Sequence, residues 1–415
     1  LAKEVPEMKL FALLIFVSSF LGSSLVAQTV DYFTKYRGAL PVKVYYGANP
    51  RAMSLLGVDA KKGIIYGMME GAGQVQFELR GLKQQNIAGF KYEWPKDPRL
   101  ALKYLANEQY SPKMLEVLRP YIYKVLLYLD IPFEFMPIHD DCLVYCKSLV
   151  EMEQFEEAFY VLSRLNLSKL DEYGYREFSE LALDLAGKMI VSNPKAAKTA
   201  RSLLQLVTIR DDSADHASYL QLVDSLRMQG LHTEAISEYG RLGPIVAKSV
   251  NSPHQEVLRL WPIYCYIKLY ESYSKAASRD KRYAQAASKM FNTALQMIKK
   301  IDENPPSRQT NEFSLYKLIR ALIRVQYARQ YEAAGKKEQS EQYYKDSVLE
   351  VTEGIVTARV GLDWLPESLM MAGDAYEKLE LTEAARNVYK QVSIFFKSTK
   401  WAVQSEAKLK ALPPS

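Results

Sequence analysis

The feature that most constrains this chain is a spacing of small and aromatic residues near its C-terminus. The segment SLMMAGDAYEKLELTEAARNVYKQV places Ala372-Gly373, then Tyr376, then Ala385, then Tyr389. Small side chains let two antiparallel helices approach closely, and the aromatic ones fill the space between neighbouring helix pairs. Four earlier segments follow the same spacing. YARQYEAAGKKEQSEQYYKDS gives Ala328, Tyr331, Gly335, Ser340, Tyr344 and Ser347, and LVDSLRMQGLHTEAISEYGRL gives Leu226, Gly230, Ala235 and Tyr239. CLVYCKSLVEMEQFEEAFYVL gives Cys146, Leu149, Ala158 and Leu162, and a longer-turned segment gives Ala287, Phe291 and Ala294.

On these residues the chain resembles the tetratricopeptide repeat (TPR) family over most of residues 96–412. The resemblance implies a mainly α fold, a TPR-like α-solenoid of helical hairpins. The Ala slots fall at 158, 235, 287, 340 and 385, wider steps than the family's strict repeat of about 34 residues. An extra hairpin is expected near Asp171–Arg210 to fill the first gap. The resemblance also implies a groove lined by the first helix of each hairpin. Its lining would be Lys147, Asp224, Arg329 and Asp374, with Arg227 and Glu377 three residues further along in two repeats. This mixture lacks the Lys/Asn set with which some TPR domains hold a C-terminal carboxylate. An extended or helical peptide contacted along several repeats is the expected ligand.

Ahead of the helices, residues 28–95 read as a small β domain. QVQFELR alternates, with Val75, Phe77 and Leu79 on one face. It follows IIYGMM across a turn carrying Gly71 and Gly73, and Lys61-Lys62-Gly63 makes an earlier turn. Ile87, Phe90, Tyr92 and Trp94 are expected to close the centre of an SH3-like or Sm-like barrel. From Pro95 the period is helical. Ser111-Pro112, Asn193-Pro194 and Ser252-Pro253 predict capped helix starts, with Gln255 completing a capping box on Ser252. Breaks are expected at Gly230, Gly243-Pro244, Asn304-Pro305-Pro306 and Gly335.

Residues 1–27 read as a signal peptide. Met8-Lys9, the true start on this reading, precede an apolar run ending at Ala27, and small residues place the cut between Ser24 and Gln28. An uncleaved anchor is the alternative, since the run nears the ~20 residues that span a bilayer. After cleavage no integral membrane insertion is expected. The chain is then exported, periplasmic or extracellular, and similar to helical-repeat proteins of bacterial envelopes. Net charge is +6, from 54 basic and 48 acidic residues among 415, and nowhere do five Lys or Arg run together. No nucleic-acid partner is expected.

Chemistry is hard to find. His139, His216, His232 and His254 form no metal-binding pair, and neither a nucleophile elbow nor a Walker loop occurs. Cys142, Cys146 and Cys265 are an odd number, so at least one thiol is unpaired. Cys142 and Cys146 fall on one helix face, where a disulfide is strained and a buried Cys acts as a small hydrophobe. His139-Asp140-Asp141 read as a helix start. No catalytic residue, metal or cofactor is assigned. The expected function is a non-enzymatic scaffold binding other proteins or peptides of the envelope. The alternative is a cell-wall or carbohydrate-active protein on an α/α array, which needs two acids facing one cleft, drawn from residues such as Asp140, Asp141, Asp363 and Glu367. The amphipathic tail after Trp401 is expected to cap the array.

Overall fold

The computed structural model describes residues 31–413, apart from Ala48, Val250, Asn251, Arg359 and Val360. The leader reading of residues 1–27 lies outside the described residues. The chain divides into two compact units, one ending at Thr208 and one beginning at Ile209.

The first unit contains a five-stranded antiparallel sheet: β1 (Leu40–Tyr46), β2 (Asn49–Asp59), β3 (Ile64–Met69), β4 (Gly73–Glu78) and β5 (Ile87–Lys91), in the order β4-β3-β2-β1-β5. Alternation sets the buried face: Leu40, Val42 and Val44 point inward along β1 while Pro41 and Lys43 face water. Gly67 faces Leu55 across β2 and β3. Met53 folds over it so closely that a Cβ would lie 2.4 Å from the Met53 methyl, and any larger residue would push that side chain aside. Beyond that point β2 slips register between Leu55 and Gly57, a bulge that bends the strand. The outer strands then meet through their inner faces, with the rings of Phe77 on β4 and Phe90 on β5 5.9 Å apart. Ile87 and Phe90 are buried as the sequence predicts, whereas Tyr92 and Trp94 are only half-buried. Trp94 turns away and donates to Asp141 at 2.7 Å.

The sheet does not stand free. Helices α1 (Tyr32–Lys35), α2 (Lys96–Ala106), α3 (Pro112–Val125), α4 (His139–Glu151), α5 (Phe155–Leu162), α6 (Leu167–Glu172), α7 (Glu177–Ser192) and α8 (Ala197–Leu206) complete its unit. The Tyr128 hydroxyl, just past α3, donates to the Leu55 carbonyl at 2.9 Å, and the Phe90 amide donates to Phe135. These bonds satisfy backbone groups that would otherwise be orphaned at the sheet–helix boundary. The pair α7–α8 fills the gap predicted near Asp171–Arg210. At the centre of α3, α4 and α5, the buried Glu157 carboxylate accepts from Arg119 (3.0 and 2.7 Å), Tyr123 (2.9 Å) and Tyr145 (2.6 Å).

The second unit, among the described residues, is all helix: α9 (Ser213–Met228), α10 (His232–Val246), α11 (Gln255–Ala277), α12 (Arg282–Asp302), α13 (Asn311–Ala333), α14 (Lys337–Thr357), α15 (Leu365–Lys378), α16 (Thr382–Phe395) and α17 (Lys400–Ala411). Sequential helices pack in pairs: α9 on α10, α11 on α12, α13 on α14, α15 on α16. The small slots do what the spacing requires. Ala235, Ala287, Ala385 and Ser340 are buried, and a Cβ on Gly373 would strike the Tyr389 ring at 2.5 Å. Gly230 and Gly335 end helices at positive φ, 79° and 70°, conformations that favour glycine.

Three sequence expectations are corrected here. Gly243-Pro244 does not break the array but lies inside α10. The proline forfeits one N–H bond, but it sits two residues before the helix ends, so a kink there redirects only the last turn. The capping box at Ser252 also does not form, because Gln255 Nε2 donates to the Ser249 carbonyl at 2.7 Å instead. Ser111 likewise makes no side-chain cap, while Asn193 does accept from the Lys195 amide at 3.0 Å.

All three cysteines are free and buried. Burial pushes the Cys142 and Cys146 thiols well up and that of Cys265 to about 12, so their thiolate fraction at neutral pH is negligible. No thiol is expected to react with Ellman's reagent in minutes at pH 8, and all three should react in denaturant. A fast-reacting native thiol would contradict this packing.

Candidate functional site

The second unit carries an open cleft of about 290 Å³ lined by α11, α13, α14, α15 and α17. Its apolar wall holds Met370, Met371 and Trp401, and its polar lining is unusually dense in charge.

At the cleft floor lies Lys268 on α11. Its Nζ is 2.8 Å from Glu367 Oε1 on α15 and 3.4 Å from Glu271 Oε2 one turn along its own helix. Tyr264 donates to the other Glu367 oxygen at 2.7 Å, and Gln326 to Glu271 at 2.7 Å. Arg329, at the mouth, donates to Glu271 at 3.2 Å. Burial alone would raise the Glu271 carboxyl, but Lys268 and Arg329 outweigh it and hold the group below the ordinary carboxylate range. Burial would likewise lower the Lys268 ammonium, and Glu367, Tyr264 and Glu271 together raise it instead. The Lys268 and Glu271 charges are therefore retained at neutral pH.

Along the wall, Tyr389 on α16 donates to Asp374 (2.7 Å) and Glu377 (3.0 Å) on α15. Lys408 on α17 pairs with the same two carboxylates at 3.1 and 3.0 Å. The C-terminal helix packs on α15 and α16 and places its lysine on the acids that the sequence assigned to a groove. Lys378 completes the lining, paired with Glu332 at 2.7 Å. The cleft is thus close to electroneutral, with each cation matched by a carboxylate.

A tyrosine in the second helix of a pair recurs as a donor to the first. Tyr239 bonds Asp224 at 2.5 Å, Tyr344 bonds Glu332 at 3.1 Å, and Tyr389 bonds both Asp374 and Glu377. The separations repeat, fifteen residues for the Asp partners and twelve for the Glu partners. One register is therefore reused in three helix pairs of this unit.

Of the six residues expected to line a groove, Arg329, Asp374 and Glu377 come together in this cleft. Asp224 and Arg227 do not line it; they pair with each other at 3.3 Å. Arg227 is only 7% exposed, its guanidinium 3.4 Å above the Trp261 ring. A planar cation stacked on indole is a packing element here. Lys147 is exposed on α4 in the first unit. Lys268, Glu271, Trp401 and Lys408 escaped the sequence reading. Their trace was present: Tyr264, Lys268 and Glu271 stand at i, i+4 and i+7, one polar stripe along α11. His139 packs as an aromatic, its ring stacked 4.7 Å from Tyr175. No group of three or more His, Cys, Asp or Glu side chains that could hold a metal ion occurs among the described residues.

His232, at the start of α10, lies 6.1 Å from the Tyr264 ring and its Nδ1 is buried without a hydrogen-bond partner. Burial first, then Lys268, Arg227 and Lys400, against the opposing pull of Glu367, lower its pKa from 6.5 to about 4. The native ring stays neutral while the unfolded ring takes a proton. Stability is therefore full above pH 6.5 and falls as pH drops toward 4, by roughly 2–3 kcal/mol at about 1.4 kcal/mol per unit. His232→Gln should flatten this limb in urea titrations run from pH 7 to pH 4; an unchanged slope would contradict it.

No family model matches the chain, and no curated protein matches it.

Proposed function

We propose that this chain is an exported, non-enzymatic helical-repeat scaffold of TPR type that binds protein or peptide partners in the bacterial envelope or periplasm. The observation that carries the reading is the tyrosine-to-acid register shared by three of the four helix pairs of the second unit. Identical registers are what a hairpin repeat requires, because each pair must present the same surface to the next. The strand order β4-β3-β2-β1-β5, with the turn Leu79–Gly81 between β4 and β5, supports an SH3-like reading of the N-terminal sheet. The leader pattern at residues 8–27 supports export.

The cleft chemistry narrows the partner. Its charges are already matched, so a strongly acidic or basic ligand gains little. A peptide that anchors an apolar side chain on Met370, Met371 and Trp401, with mixed charges flanking it, fits best. Charge reversals R329E and D374K test this in capture from envelope extract, with K147E, outside the cleft, as the control. R329E and D374K should each reduce capture of a specific partner, and K147E should not. Unchanged capture in both R329E and D374K rejects the groove.

One observation favours the carbohydrate-active alternative: Glu271 and Glu367 are acids that share one cleft. Lys268 sits against both, and Glu271 is held below the ordinary range, whereas acid catalysis at a glycosidic bond calls for one raised carboxyl. Release of reducing ends from peptidoglycan or soluble glycans, abolished by E367Q, would establish this alternative.

A further inference from the structure

The end of α16 and the start of α17 form a tip whose chemistry the cleft does not use. Phe395 is 74% exposed, Ile394 58% and Val403 70%. Large apolar side chains grouped in water are a binding surface. The charges of the segment that carries Ile394, Phe395 and Val403 have one sign. Between Glu383 and Glu406 the chain contains no acidic residue, but holds Arg386, Lys390, Lys397 and Lys400. Lys390, Lys397 and Lys400 are exposed, and no ion pair of theirs is recorded among the described residues, while Arg386 is engaged by Glu383 and the Pro413 carbonyl. Lys400 lies 5.0 Å over the Trp401 ring, which is half-buried at the edge of the same tip.

We infer that this tip is a peripheral docking site for an anionic lipid bilayer. Phe395 and Ile394 would enter the headgroup–acyl boundary, and the three lysines, on long flexible stems, would rest among lipid phosphates. Charge complementarity selects this occupant. A protein surface matching the tip needs acids in fixed places, whereas an anionic bilayer offers diffuse negative charge to lysines that have no fixed partner. No described helix is long and apolar enough to cross a membrane, so the contact is interfacial. The inference does not depend on what the cleft binds.

The test is co-sedimentation of the full chain with vesicles of phosphatidylcholine alone and of phosphatidylcholine with phosphatidylglycerol at 7:3, in 0.1 M salt. The N-terminal apolar run contributes equally to every variant, so differences between variants isolate the tip. The wild type should prefer the anionic vesicles. K397E/K400E and F395S should each weaken that binding about ten-fold, the first only on anionic vesicles. Circular dichroism should show both variants folded, since the substituted side chains are exposed. Equal binding by wild type and both variants, or no binding by any, overturns the inference. So does a wild-type dimer that F395S dissociates without any change in vesicle binding, which would make the tip a self-association surface.

Discussion

Glu157→Gln should lower the stability of the first unit by about 3–5 kcal/mol, because it leaves a buried cation without its partner. In the native chain one carboxylate accepts two bonds from Arg119 and one each from Tyr123 and Tyr145, and both members of the ion pair are shielded from water. A glutamine of equal size removes the charge and presents an amide donor among groups that all donate. The loss is local, so hydrogen exchange by peptide is the measurement. Amides of α3, α4 and α5 should lose two or more decades of protection, while those of the second unit keep theirs. Tyr145→Phe removes one donor and leaves the pair intact, so it should cost only about 1–2 kcal/mol. Equal effects of the two variants would mean that the charge is not what holds these helices.

The second large effect is expected at Lys268. Lys268→Met removes the cation between Glu271 and Glu367 and sets two carboxylates against each other, at a cost of about 3–5 kcal/mol at pH 7. The pH dependence gives the sign. The Glu271 carboxyl is held low in the native state, so it adds stability that is present above its ordinary value of 4.5 and lost as acid takes pH through the lower native value. In the variant that contribution is gone already at neutral pH. The gap between variant and wild type should therefore persist from pH 7 down to the ordinary value of 4.5 and be narrower at pH 4 and below. The triple variant K268M/E271Q/E367Q should recover much of the loss, since no buried charge is left uncompensated and Arg329, exposed at the mouth, can turn to water. Thermal or urea denaturation at the two pH values distinguishes these outcomes, and a gap that widens in acid would refute the assignment.

Much of the helical fold was legible because small and aromatic residues obey steric rules that act locally. Gly373 must be small since Tyr389 lies against it, and both positions can be read from spacing alone. The strand pattern was legible for the same reason at Phe77 and Leu79, which alternate to one buried face. What the sequence hid depends on distant partners. Pro244 reads as a break until its place at the end of α10 is known. Trp94 reads as barrel core until Asp141, 47 residues away, draws its indole N–H. The candidate site follows the same division. Arg329, Asp374 and Glu377 could be placed from the repeat spacing, but their partners Glu271 and Lys408 come from helices 58 and 31 residues distant. Arg227 was misjudged as groove lining because nothing local announces the Trp261 face beneath it.

The central claim is that the cleft between α11, α13, α15 and α17 is where a protein partner sits. Site-specific photocrosslinking in the producing cell addresses it with least intervention. A crosslinking amino acid at position 329 or 378, on the cleft, should trap the same protein band, and R329E should abolish the band trapped from position 378. A control crosslinker at Lys345, exposed on α14 and not part of the cleft lining, should not trap it. Equal trapping from all three positions, or trapping from position 345 alone, would contradict the account.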